Sequence, residues 1–77
     1  MFRVLVDIGE GYWCGNAQRH ETVQAAREAA EDLFSRWMAV RDWAVVPVEM
    51  EADRGPFRCS HELVAAHAVA RMVYGEG

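Results

Sequence analysis

The chain has 77 residues and a formal charge of −4, from twelve acids against eight basic residues, every one of which is arginine. That balance excludes non-specific binding along a nucleic-acid backbone, which needs clustered basic side chains. A chain this short buries about 60% of the surface its unfolded form exposes, so it leans on dense packing, a metal, a disulfide or an interface.

Met1 leads straight into a strand pattern, without the basic start, long apolar run and small-residue cleavage site of a signal peptide. No apolar run approaches the roughly 18 residues of a membrane span. The expected compartment is therefore the bacterial cytoplasm, where Cys14 and Cys59 stay reduced and serve as thiols or ligands.

Phe2, Val4, Val6 and Ile8 alternate with Arg3, Leu5 and Asp7, the period of a strand with one strongly apolar face. Gly9-Glu10-Gly11 supplies the positive φ of a tight turn, and Tyr12-Trp13-Cys14 is the return strand, stopped by Gly15-Asn16. Thr22 is a helix N-cap. From it Val23, Ala26, Ala30, Leu33, Trp37 and Val40 recur at spacings of three and four, which predicts one helix over Thr22–Trp43. Its stripe places Trp37 in the core, and Asp32 and Arg36 form an i,i+4 pair on its surface.

Trp43 to Met50 reads as a strand, bent or at an edge at Pro47, which lacks a donor. It runs either parallel to the first strand through a helical crossover or antiparallel to the return strand. After a loop, Ser60 caps a second helix over His61–Tyr74 that is apolar nearly all round and ends at Gly75. The chain 1–77 reads as a single small domain. The expected fold is α+β or open α/β: about three strands in the order β-β-α-β-α, with both helices packed on one face.

Cys14, His20, Cys59 and His61 have the donor types of tetrahedral zinc. Their spacing, Cys-x5-His and Cys-x-His, is unlike the usual finger patterns, so zinc is the alternative and no cofactor the main expectation. Cys59-Ser60-His61 sets nucleophile and base types side by side, but neighbours at a helix start seldom face each other, and no catalytic residue is assigned. Glu28, Glu31 and Asp32 on the first helix, and Glu49, Glu51 and Asp53 after the last strand, make two acidic patches. Either can meet a basic protein partner. Trp13, on a short strand, is a candidate interface anchor. The alanine-rich second helix is a candidate homodimer seam.

The stretch from Thr22 to Val48 resembles a type of small protein encoded by phages and prophages of high-GC bacteria. The resemblance is carried by Thr22, Ala26, Leu33, Arg36-Trp37, Ala39-Val40-Arg41-Asp42 and Val45-Val46, an RW-x-AVR helix end followed by a VV strand. His20 stands where such proteins carry an aromatic residue before the acid and the capping threonine, which weakens the hydrophobic staple. The resemblance covers about a third of the chain and implies no activity. By size and charge alone the chain is also similar to phage inhibitors of host defence, anti-CRISPR proteins among them. The expected function is non-catalytic binding to a protein partner, such as a basic nucleic-acid-binding host complex.

Overall fold

The computed structural model describes residues 1–55 and 57–72. In chain order the elements are β1 (Phe2–Asp7), β2 (Trp13–Gly15), α1 (Val23–Arg36), β3 (Asp42–Pro47), β4 (Arg58–Cys59), α2 (His61–His67) and β5 (Ala70–Arg71). The strands form one sheet in the order β4-β2-β1-β3-β5, and every neighbouring pair is antiparallel. This corrects the expected three-stranded sheet to five strands and replaces both expected positions of β3. It pairs antiparallel with β1 along its whole length, from Phe2 opposite Pro47 to Asp7 opposite Asp42. Because β2 and β3 flank β1 and both oppose it, they run in the same direction, and α1 carries the chain between them.

Two of the strands are two residues long, too short for any period to mark them. They exist because the neighbouring strands offer unpaired backbone groups. Beyond the Trp13–Cys59 pairing, the Gly15 N–H donates to the Phe57 carbonyl at 2.8 Å. At the opposite edge, the Val69 N–H donates to the Val45 carbonyl at 2.8 Å and the Met72 N–H to that of Trp43 at 3.1 Å. Helix propensity along the alanine-rich 65–70 stretch yields to these bonds. As a result α2 ends at His67 rather than continuing to Tyr74, and Val73 and Tyr74 lie outside the described residues.

The helices do not share a face, contrary to expectation. On one side, Ala26 and Ala30 of α1 pack on Val4, Val6, Trp43 and Val45, with Val40 closing the end. On the other, Val64 of α2 packs with Leu5, Trp13, Ala44, Val46, Met50 and Cys59. Strand residues alternate between the two faces, so a sheet covered on both buries consecutive positions. Arg3-Val4-Leu5-Val6 and Trp43-Ala44-Val45-Val46 are accordingly buried without a break.

Both predicted caps form. The Ala25 N–H donates to Thr22 Oγ1 at 3.0 Å and the Leu63 N–H to Ser60 Oγ at 3.1 Å. Gly9 and Gly11 hold φ of 85° and 88°, in the region that side-chain-bearing residues avoid. α1 is shorter than the expected Thr22–Trp43, ending at Arg36, with Trp37 as extended C-cap. The chain then turns, the Val40 N–H donating to the Trp37 carbonyl and the Arg41 N–H to that of Asp7, and enters β3. Among the described residues no helix is long and apolar enough to cross a membrane.

Candidate functional site

α1 packs against β1 and β3 and leaves the β2 side of its sheet face uncovered. The space left is an apolar cleft of about 200 Å³, lined by Val4, Val6, Cys14, Gly15, Asn16, Leu33 and Trp37. Its floor is sheet, and one wall is the C-terminal turn of α1. With about 100° per residue, Leu33 and Trp37 lie on the same flank of the helix. Trp37 was expected in the core; the helix ends one residue earlier, and the indole stands at the cleft wall with 44% of its surface exposed. Met38, in the turn that follows, is 99% exposed. Phe34 is exposed as well, but about 100° round from Leu33, and does not line the cleft.

The other two tryptophans are core. Trp13, expected as an interface anchor, is 2% exposed, and Trp43 3%. The indole N–H of Trp13 donates to His61 Nδ1 at 2.8 Å, with the rings edge to face, and the Arg71 guanidinium lies 5.2 Å from the indole centroid. Trp13 therefore offers no surface to a partner.

The four candidate zinc ligands do not converge. Trp13 and Cys14 are adjacent on β2 and point to opposite faces; Cys59 stands opposite Trp13 and shares its face. Cys14 lines the cleft beside α1, while Cys59 is fully buried beneath α2. One ion cannot take both thiols through a sheet. His20 is tied to Phe2 through paired main-chain hydrogen bonds of 2.8 Å, and His61 Nδ1 is held by Trp13. Among the described residues no group of three or more His, Cys, Asp or Glu side chains is placed to hold a metal ion. Burial pushes the Cys59 thiol up, against a smaller lowering by Arg3, opposite to what a nucleophile requires.

The carboxylates are exposed but interleaved with arginine. Asp32 meets Arg36 at 3.1 Å, Glu31 lies 4.0 Å from Arg27, and Glu28 accepts from the Gln24 side chain. The outer face of α1 is thus a ladder of alternating sign rather than a block of negative potential. Glu49 and Glu51 are exposed in the segment that follows β3. Asp53 works locally: hydrogen bonding to Ser60, through its side chain first and also through its N–H, which donates to Oδ1 at 2.8 Å, holds the Asp53 carboxyl below the usual range. The exposed residues of α2 are His61, Glu62, Ala65, Ala66 and His67, and in the stretch that follows, which the candidate homodimer seam also includes, Val69 is 49% exposed.

Arg3 was not singled out by its sequence context. It is buried on the α2 face, donates through Nη2 to the Met50 carbonyl at 3.2 Å, and stacks 5.5 Å from the centroid of Phe57. Its Nε is buried with no hydrogen-bond partner among the described residues. Comparison with protein-family models, with curated proteins and with solved structures returns no match, so the reading of this chain rests on its own geometry.

Proposed function

We propose that this chain works by protein contact, without chemistry of its own, and that the Trp37 cleft is its contact surface. The observation that carries the reading is Trp37 itself, a tryptophan left 44% exposed at the wall of an apolar cleft beside a fully exposed Met38. Tryptophan supplies large contact area at low entropic cost and dominates binding energy where interfaces have been dissected. A small domain gains nothing in stability from exposing it. The cleft has the volume for one or two apolar side chains of a partner segment. Inhibition of a host-defence complex, toward which similarity of size and charge alone points, is one role that fits such a surface.

The test is affinity purification of the tagged chain from cells of the organism that encodes it, in three forms: wild type, Trp37→Ala, and a Glu28→Gln, Glu31→Gln, Asp32→Asn variant. A protein retained by the wild type and the charge variant but lost with Trp37→Ala is the expected result, provided thermal unfolding shows Trp37→Ala folded. Retention by Trp37→Ala and loss with the charge variant would move the contact to the acidic face.

A further inference from the structure

On the sheet face opposite the Trp37 cleft, Arg3 is a cation without a counter-ion. The residue is 9% exposed, and among the described residues no carboxylate comes within 4.0 Å of its guanidinium. Burial can drive a lysine or a carboxyl group to its neutral form, but arginine keeps its proton. The charge therefore stays in the interior, where Cys59 feels it: burial raises that thiol, and Arg3 lowers it in part.

The guanidinium is held but not satisfied. Nη2 donates to the Met50 carbonyl at 3.2 Å, a neutral acceptor, and the Phe57 ring lies over the group with its centroid 5.5 Å from Cζ. Nε is buried and has no acceptor among the described residues. Phe57 is itself out of the ordinary. Among the described residues it alone, glycines apart, holds a positive φ, at 62°, and it keeps that backbone while 37% exposed. A bulky side chain is strained there. An unbalanced buried cation and a strained aromatic residue, two separate departures from low energy, thus meet at one place.

We propose that Arg3, covered by Phe57, is a binding site for a small oxyanion, phosphate or carboxylate. One such anion supplies both missing elements, the negative charge and an acceptor for Nε. The planar fork of arginine suits it, since its N–H groups reach an oxyanion in pairs, and an aromatic ring over the guanidinium leaves those in-plane donors to other partners. Met50 and Phe57 both contact the group, so the ligand is a small anion rather than a chain segment. Phe57 is the exposed part of this cover, and its movement admits the anion. Glu49 and Glu51, exposed on either side of Met50, oppose the approach of an anion, while Asp53 is engaged by Ser60. A dissociation constant on the order of millimolar is therefore expected. The site lies across the sheet from the Trp37 cleft and does not depend on what binds there.

The experiment is urea unfolding of the full chain in phosphate at constant ionic strength. With a Kd of about 5 mM, raising phosphate from about 1 mM to about 50 mM lowers the wild-type unfolding constant about tenfold. In Arg3→Met the same change should lower it less than about twofold, through the general stabilising action of phosphate on folded chains. Acetate titrated in parallel distinguishes the oxyanions: the site takes carboxylates if acetate reproduces the difference between the two chains, and phosphate alone if it does not.

By NMR of the wild-type chain, the Arg3 Nε–H resonance should shift with phosphate and saturate, whether or not Arg3→Met folds. An equal response of the two chains to phosphate would overturn the proposal. So would an Arg3 Nε–H resonance that stays in place, or one that drifts without saturating as those of exposed arginines do.

Discussion

Gly15→Ala tests the packing at the centre of the sheet. Gly15 stands opposite Leu5 on β1, and a Cβ added there would come 2.5 Å from Leu5 Cδ2 and 3.2 Å from the Val4 carbonyl oxygen. Neither neighbour gives way easily. The carbonyl belongs to the central strand, and Leu5 is fully buried among Trp13, Ala44, Val46 and Val64. Overpacking of this kind costs about 1–3 kcal/mol. Against it stands the lower chain entropy of alanine in the unfolded state, about 0.5–1 kcal/mol. A net loss of about 1–2 kcal/mol is expected, which at a urea slope of about 1 kcal/mol/M lowers the midpoint by about 1–2 M. Because the clash is with one side chain, Leu5→Ala should couple to it, making the double variant more stable than the sum of the singles by about 1 kcal/mol. A wild-type midpoint for Gly15→Ala, or an additive double variant, would refute the pairing of Gly15 with Leu5.

The three other predictions concern burial and charge. Trp13→Ala should cost about 3–5 kcal/mol as a core truncation, and Trp37→Ala well under half of that, measured by urea unfolding; equal losses would contradict their placement. Arg3→Met should leave stability unchanged or raise it by about 1–2 kcal/mol, since it removes a buried cation that has no acid partner among the described residues, whereas a loss of similar size would mean that Arg3 is paired. Hydrogen bonding to Ser60, through its side chain first and its amide as well, depresses the Asp53 carboxyl, so its contribution is present above the ordinary carboxylate range and lost as pH falls through the folded value. Asp53→Asn should remove that acid-dependent component in thermal melts taken at a series of pH values, leaving a flatter curve than wild type.

What could be read in the sequence was local. The β1 alternation, the Gly9 and Gly11 turn, the caps at Thr22 and Ser60 and the Asp32–Arg36 pair each depend on residues within a few positions of one another. What could not be read was decided by distant backbone. β4 and β5 carry no period, and they form because β2 and β3 present unpaired edges. The apolar stripe of α1 runs on through Trp37 and Val40 after the helix has stopped, so periodicity alone put Trp37 in the core. Trp13 was misplaced for the converse reason. Its burial comes from α2 covering the second sheet face, which is set by strand order. That also separates Cys14 from Cys59, and no spacing along the chain could have shown it. The cleft itself had no signal beyond the mixture of small and apolar residues that line it.

The claim that the Trp37 cleft is a contact surface is tested most directly by site-specific photo-cross-linking in cells of the encoding organism. A benzophenone amino acid is placed at Met38, beside the cleft and 99% exposed, and in a second chain at Ala65, on the outward face of α2. The predicted result is a discrete adduct of one partner from position 38 on irradiation, lost when Trp37→Ala is added, with none from position 65. An adduct from position 65 alone, or one from position 38 that survives Trp37→Ala, would contradict it.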